Sequence, residues 1–249
     1  MSKTVLMRSS LVAALGGLLF GFDTAVISGA EQALETIFTG TYESLAAGMG
    51  NLRFLSDPGF WHGCTMASAL IGTILGTWWA SEPSDVLGRR TTLFLLAILY
   101  FVSAVGSAFA WDWGAFVIAR FLGGLAVGGS SVVGPIYIAE ISPARSRGRL
   151  VALFQFNIVF GILLAYLSNY IIGTLHLGEV EWRWIFGVEA VPAGAFFLLL
   201  LGNPRSPRWL MKRGNRPAAE QVLARLGREN PVGEADEIEQ SLESGSIQD

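Results

Sequence analysis

The chain has 249 residues, of which 52% are hydrophobic and 15% are charged, and its mean hydropathy is +0.49. These values argue against an ordinary soluble domain and indicate a protein that crosses a membrane several times. The net charge of -3 is uninformative as a total, while the single cysteine, Cys64, excludes an internal disulfide and forms no metal-binding pattern.

Six apolar segments of helical length follow one another along the chain. Each has about 19 to 24 residues, which is enough to cross a hydrocarbon core at 1.5 Å per residue. Only helices satisfy their own backbone hydrogen bonds in lipid, so the sequence predicts an all-α membrane protein. The predicted spans are residues 11–30, 61–80, 91–110, 115–138, 150–173 and 184–202.

Span one contains a single charge, Asp23, which lies beyond its middle. A carboxylate at such a depth costs about 2.5–3.5 kcal/mol on insertion scales and therefore indicates a functional site. Arg120 in span four and Glu189 in span six add two further charges. Three charges inside the membrane predict a polar pathway, although a static buried ion pair that fixes helix register is an alternative.

The distribution of basic residues predicts the orientation. They cluster before span one, between spans two and three, between spans four and five, and after span six, whereas the other side holds only Arg53 and Arg183. The positive-inside rule therefore predicts a multi-pass protein of the cell membrane with both termini in the cytoplasm. The long segment 31–60 is expected to be a solvated outer loop with a short helix.

The composition changes near residue 203 and divides the chain into two predicted domains. Residues 1–203 are predicted to form a six-helix transmembrane bundle, and residues 204–249 a cytoplasmic linker. Within the linker, residues 206–226 have the pattern of an amphipathic helix at the membrane surface. The acidic residues 233–249 are expected to be disordered.

Spans one and four contain similar glycine-rich strings, GGLLFGFD at residues 16–23 and GGLAVGGS at residues 123–130. Spans one to three cross the membrane in the opposite sense to spans four to six. This combination predicts two inverted repeats of three helices each, with the glycine-rich spans lining a central cavity. Chance similarity is the alternative, because glycine is common in membrane helices.

Five motifs, taken in order, resemble the sugar porter family of the major facilitator superfamily. The resemblance covers almost the whole chain up to about residue 230 and includes GGLLFGFDTAVISG in span one. Each motif alone is weak, but their order is specific. The motifs are DVLGRR at 85–90, RFLGGLAVG at 120–128, PIYIAEISPARSRG at 135–148, EWRWIFGVEAVPA at 181–193 and SPRWLMKRG at 206–214.

The resemblance implies the N-terminal six-helix half of a major facilitator fold, because family members have twelve spans with the sugar between two halves. The implied function is sugar transport by alternating access, with proton-coupled symport expected. Asp23 resembles the family's proton-coupling carboxylate, and Arg120 and Glu189 would complete that site. The sequence does not decide whether the chain is a fragment, a truncated gene product or a functional half-size protein.

The resemblance also implies a cytoplasmic gate formed by charged residues. Its members here would be Asp85, Arg89, Arg90, Glu140 and Arg147. Arginine can bind a carboxylate through two parallel hydrogen bonds, so Arg89 or Arg90 is expected to pair with Glu140 or another carboxylate. Simple anchoring of the arginines at the membrane surface is the alternative.

Two positions depart from the family's gate pattern. Arg205 stands where the family has an acid, and Val86 stands where a basic residue often follows the motif aspartate. The first change inverts a charge in the expected network. We therefore expect a gate that is weakened or rewired.

The sugar site is expected on spans one and five. Gln155 matches a family glutamine that binds sugar hydroxyls, and an amide can both donate and accept. Phe20 matches an aromatic residue that packs against the sugar ring, with helix packing or lipid contact as the alternative. Asn157 is a further polar candidate that could equally serve helix packing. Ile162 replaces a second glutamine, which leaves the sugar unidentified.

The expected partners are a sugar, most simply a monosaccharide, a proton, the lipid bilayer and a second six-helix half. There are two alternatives to this function. One is a facilitator that moves sugar down its gradient, and the other is a non-transporting membrane protein such as a sugar sensor. An enzyme is not expected, because the sequence shows no metal-ligand helix pair, activated nucleophile or phosphate-binding loop. No cofactor, metal or nucleic acid is expected either.

Overall fold

The computed structural model of the chain describes residues 2–49 and 55–245, which form helices and turns without a strand. The all-α prediction is therefore confirmed over these ranges. The helices in them are α1 (Ser2–Val26), α2 (Glu31–Gly48), α3 (Pro58–Trp79), α4 (Ser81–Leu87), α5 (Arg89–Ala108), α6 (Trp113–Ile141), α7 (Arg147–Thr174), α8 (Glu181–Gly187), α9 (Ala190–Leu200), α10 (Pro207–Lys212), α11 (Arg216–Leu226) and α12 (Pro231–Gly245).

Five helical segments of the described chain are long and apolar enough to cross a membrane. The second predicted span corresponds to α3, which has 22 residues and a length of about 33 Å. It is long enough to cross a hydrocarbon core but is not among these five segments. The count of six spans and the cytoplasmic location of both termini remain predictions. The five segments are Thr4–Gly29, Arg89–Ala108, Trp113–Ile141, Arg147–Thr174 and Gly178–Leu200.

The sixth predicted span is helical but contains one irregular turn. It consists of α8 and α9, which are separated by a turn at Val188 and Glu189. Pro192 lies in the first turn of α9 and has no N–H group to bond the carbonyl of Val188, which favours a break at this point. Glu189, which belongs to this turn, is buried inside the bundle.

The bundle packs as two equivalent helix pairs. α3 has its most extensive contact with α6, and α7 has its most extensive contact with α1. Exchanging the first three spans for the last three converts one pair into the other. This is the packing expected from two inverted repeats of three helices.

Corresponding glycines of the two repeated strings make equivalent contacts. At each, a Cβ atom would lie 1.9–2.5 Å from a backbone oxygen of the neighbouring helix, which is too close for any side chain. The two contacts on each interface are four residues apart on both helices, so the interfaces share one register. The pairs are Gly17 with Phe154, Gly21 with Ile158, Gly124 with Ala69, and Gly128 with Thr73.

The outer segment is more ordered than the sequence suggested. α2 has 18 residues and buries one face against the bundle. The Phe38 ring lies 5.9 Å from that of Phe116, and the Tyr42 hydroxyl donates to Thr65 Oγ1 at 3.2 Å. α2 therefore covers one end of the bundle. Residues 50–54 of this segment, which include Arg53, lie outside the described residues.

The segment after α9 forms three short helices. The expected single amphipathic helix 206–226 is broken into α10 and α11 around Gly214, which has a φ of 72°. The prediction of disorder from residue 233 is wrong for residues 233–245, which belong to α12. Ala235 is buried and Ile238 and Leu242 pack beside it against α10 and α11, so α12 has an apolar face. Residues 246–249 lie outside the described residues.

Candidate functional site

Asp23 of α1 and Arg120 of α6 form an ion pair inside the bundle. The guanidinium donates from Nη1 to Oδ1 at 2.7 Å and from Nη2 to Oδ2 at 3.1 Å. Nη2 also donates to the backbone oxygen of Asp23 at 3.3 Å. The two side chains are only 1% and 3% exposed. A buried pair of this kind needs such bidentate geometry to offset the cost of removing both charges from water.

Glu189 is the third charge predicted for this site, and it is also buried. It lies in the turn between α8 and α9, close enough to interact electrostatically with both Asp23 and Arg120. Neither of its carboxylate oxygens has a hydrogen-bond partner among the residues that the structure describes. The structure therefore brings the three predicted charges together, but only two of them are paired.

Aromatic rings cover the site on the side that faces α2. The guanidinium carbon of Arg120 lies 5.1 Å from the centroid of the Phe186 ring, within the range of a cation–π contact. Phe186 packs edge-on against Phe116 at 5.2 Å, and Phe116 contacts Trp182 at 5.9 Å. These rings lie between the charges and α2, whose Phe38 contacts both Phe116 and Trp182.

Hydroxyl groups of α5 line the remaining side of the site, and the sequence interpretation missed them. Tyr100 and Ser103 face inward and are buried. The Tyr100 hydroxyl lies 2.8 Å from Ser130 Oγ of α6, whereas Ser103 Oγ has no partner among the described residues. The signal available in the sequence was the spacing of Tyr100, Ser103 and Ser107, which places all three on one helix face.

The residues predicted to contact sugar lie on two packed helices. Phe20 is half-buried on α1, and Gln155 is exposed on α7. The Asn157 side-chain amide donates to the carbonyl of Leu153 in its own helix at 2.8 Å. Gln155 is therefore the freer of the two amides to bind a ligand.

Three of the predicted gate residues meet at the start of α5. Arg89 pairs with Asp85 one turn earlier, and its Nε donates to Glu140 Oε1 at 3.1 Å. Burial raises the pKa of the Asp85 carboxyl, but the hydrogen bond and charge of Arg89 and the charge of Lys212 outweigh this and lower it. The second carboxylate oxygen of Glu140 is buried without a partner in the described chain.

The other two predicted gate residues lie apart from this contact. Arg90 donates to the backbone oxygen of Leu201 at 3.0 Å, and its guanidinium lies over the ring of Phe94. Arg147 is exposed at the start of α7 and lines a cleft together with Glu140. In this arrangement Arg89, rather than Arg90, pairs with Glu140.

Comparison with known proteins identifies the family. A family model described as sugar (and other) transporter matches residues 9–248. The D-xylose-proton symporter of Escherichia coli strain K12 is 40% identical over 267 aligned residues, covering 98% of this chain and 52% of the relative. The glucose transport protein of Synechocystis is 40% identical over 89% of this chain and 45% of the relative. The chain belongs to the sugar porter family of the major facilitator superfamily.

Solved sugar porter structures have the same fold over this chain. The proton:xylose symporter XylE bound to 6-bromo-6-deoxy-D-glucose superimposes with a TM-score of 0.88 at 38% identity, covering 98% of this chain and 55% of that one. A partially occluded, inward-open form of XylE from E. coli gives 0.87 at 39% identity, covering 97% and 60%. The chain thus spans about half the length of the sugar porters that it matches.

Arg205, one of the two departures from the sugar porter gate pattern, contacts an aromatic ring. The guanidinium of Arg205 lies 5.2 Å from the centroid of the Trp209 ring on α10, and that of Arg213, which directly follows α10, lies 5.6 Å from it. The indole donates to the backbone oxygen of Asp85 at 3.0 Å and packs against Gly88, whose φ is 90°. Arg205 therefore helps to fasten α10 to the α4–α5 turn.

Proposed function

We propose that this chain is the N-terminal half of a proton-coupled sugar transporter of the cell membrane. The observation that carries the proposal is the buried Asp23–Arg120 pair with the unpaired carboxylate of Glu189 beside it. Relatives of this chain include a D-xylose-proton symporter and an arabinose-proton symporter. The six-span count and both termini on the cytoplasmic side belong to the same proposal, supported by the basic residues at the corresponding loops.

Proton coupling follows from the exchange of partners that this site allows. Ionised Asp23 holds Arg120 through two hydrogen bonds. When Asp23 takes up a proton, its charge is lost and the guanidinium is left without an anion in a buried place, which is unfavourable. Glu189 offers the alternative carboxylate. Proton uptake can therefore move Arg120 and, with it, the packing of α6.

We assign sugar binding to α1 and α7, with Phe20 and Gln155 as principal contacts. The exposed Gln155 amide can donate to one hydroxyl and accept from another, while the Phe20 ring offers an apolar face. The named substrates of relatives are monosaccharides or a cyclic polyol: xylose, glucose, arabinose and myo-inositol. A monosaccharide is the proposed substrate, and the chain is proposed to carry out transport rather than an enzymatic reaction.

The cytoplasmic contact of Asp85, Arg89 and Glu140 is proposed to act as a gate. It joins the α4–α5 turn to the end of α6, and α10 is fastened to the same turn through Trp209. Opening toward the cytoplasm would require these contacts to loosen together. Arg90 and Arg147 are proposed to take part only in another conformation, since neither contacts Glu140 here.

The test of the proposal is Asp23→Asn in this chain joined to the C-terminal half of a xylose–proton symporter. Asparagine keeps the shape of the side chain but cannot change charge, so uphill sugar accumulation should be lost while sugar exchange continues. The matched control is Asp57→Asn, at an exposed helix N-cap where asparagine serves equally well. Uphill uptake that survives Asp23→Asn would rule out coupling through Asp23 and favour a facilitator.

A further inference from the structure

The α5 face of the charge site carries two buried serines that differ in their surroundings. Ser103 and Ser107 are one turn apart, and neither hydroxyl has a hydrogen-bond partner among the residues that the structure describes. A buried hydroxyl without a partner is unfavourable, because it has given up its bonds to water. Of the two, Ser103 lies near Asp23, and this position suggests what it does.

Ser103 and Asp23 converge on Gly123. A Cβ atom added at Gly123 would lie 2.4 Å from Ser103 Oγ and 3.5 Å from Asp23 Oδ1. Both oxygens therefore lie close to one point, which only glycine leaves open. Rotation of the Ser103 or Asp23 side chain can bring the two groups toward each other.

When Asp23 is ionised, its carboxylate does not require a hydrogen bond from Ser103. Both of its carboxylate oxygens already accept hydrogen bonds from Arg120. A protonated Asp23 would differ in two ways, because it would release Arg120 and would carry an O–H group that requires an acceptor. The neighbouring Tyr100 hydroxyl already bonds Ser130. Ser103 is the unengaged hydroxyl beside the carboxyl group.

We propose that Ser103 is a positioning residue for proton coupling: its hydroxyl accepts the hydrogen bond of protonated Asp23 while Arg120 turns to Glu189. The step adds one proton to Asp23, breaks its two hydrogen bonds to Arg120, and forms one bond to Ser103 and new bonds between Arg120 and Glu189. Protonated Asp23 is thus paired with Ser103, and Arg120 with Glu189. Neither Ser103 nor Glu189 has a hydrogen-bond partner among the described residues while Asp23 is ionised. This inference rests on the proposed coupling role of Asp23.

The experiment is infrared difference spectroscopy of the whole chain in lipid nanodiscs, comparing acidic with neutral pH. The band of protonated Asp23 is the carboxylic C=O band that Asp23→Asn removes. In Ser103→Ala this band should move to higher wavenumber, since loss of a hydrogen bond stiffens the carbonyl. Ser107→Ala is the matched control and should leave the band in place. Gly123→Ala should act like Ser103→Ala, because the added methyl group pushes the hydroxyl away.

The outcomes separate this inference from the proposed function. An unchanged band in Ser103→Ala, or no Asp23-dependent band while the chain stays folded, would overturn the role of Ser103. Ser103→Ala removes a small group and should keep the thermal melting of the wild type, so misfolding does not obscure the result. Transport coupling is tested separately by Asp23→Asn, and either result can fail while the other stands.

Discussion

At the scale of single residues, the buried ion pair is better explained by function than by stability. Removing a carboxylate and a guanidinium from water costs several kcal/mol per ion, and apolar side chains of similar size often stabilise a protein equally well. Asp23 and Arg120 nevertheless lie fully inside the bundle. Glu189 adds a third buried group with no bonded partner in the described chain. Such a cluster is suited to a change of charge during a transport cycle.

Gln155 provides a test of the sugar site. It is exposed on α7, so Gln155→Ala removes no packing and should leave expression and melting unchanged. Sugar hydroxyls left unpaired in a closed site should weaken binding by about 1–3 kcal/mol, or roughly 5- to 150-fold in Kd. Sugar binding is measured by titration calorimetry in the joined transporter.

The control for Gln155 is Gln221→Ala, which makes the same change on the exposed face of helix α11, outside the predicted spans. It should leave sugar affinity unaltered. If the two variants bind sugar equally well, Gln155 does not contact the ligand and the site lies elsewhere on the bundle.

The sequence identified the charges of the site but not its hydroxyl side. Asp23, Arg120 and Glu189 are conspicuous because a charge in an apolar run is costly. Serines in helices usually bond their own backbone, as Ser130 does with Val127. What distinguishes Ser103 is that its hydroxyl and the Asp23 carboxylate both lie beside Gly123. This proximity depends on how α1, α5 and α6 pack.

At the scale of helices, glycines determine how closely the spans approach. The repeated strings of α1 and α6 place glycines four residues apart, so that each helix contacts backbone oxygens of its neighbour. Helix association in membranes depends on such close packing, because lipid tails are as apolar as side chains. The same four-residue spacing on both interfaces supports the inverted repeat more strongly than the similarity of the strings alone.

Gly21→Ala tests the importance of this close approach. The added Cβ would lie 1.9 Å from the backbone oxygen of Ile158, so α1 and α7 must separate. Overpacking of this kind typically costs about 1–3 kcal/mol, and we expect a lower melting temperature for the purified chain in detergent. The measurement is thermal unfolding followed by circular dichroism.

Gly40→Ala is the control, because nothing lies within 4 Å of a Cβ added there. Alanine favours helix over glycine by about 0.5–1 kcal/mol, so this variant should melt at the same temperature or higher. A Gly21→Ala chain that melts like Gly40→Ala would show that the α1–α7 interface tolerates a wider spacing.

Helix length and apolarity predicted most elements but missed the turn at Val188 and Glu189, the break around Gly214 and helix α12. The turn at Val188 and Glu189 interrupts an apolar run whose only warning is Pro192, a residue that membrane helices often tolerate. α12 was missed because its composition is acidic, although Ala235, Ile238 and Leu242 have helical spacing. Ala235 is buried, and Ile238 and Leu242 are partly buried, through contacts with α10 and α11 that composition does not reveal.

At the scale of the whole molecule, the charges and the proposed sugar contact lie in different environments. Asp23 and Arg120 are enclosed by the helices of this chain itself, so a second half is not needed to shield them. Gln155 is exposed on α7, among large apolar side chains that are also exposed. Those on α7 include Phe156, Val159, Phe160 and Leu163. An amide on such a face is unfavourable in lipid and favours a covered position.

The chain as a monomer should therefore insert in a bilayer without transporting sugar. Alternating access requires one helix bundle to move against another around a shared site, and Phe20 and Gln155 supply only one wall of that site. Purified chain reconstituted in liposomes, and shown to be monomeric by single-molecule photobleaching, should give no saturable sugar flux. The same chain joined to a sugar porter C-terminal half is the positive control. Stereospecific, saturable flux from the verified monomer would contradict this expectation and require a sugar pathway within a single six-helix bundle.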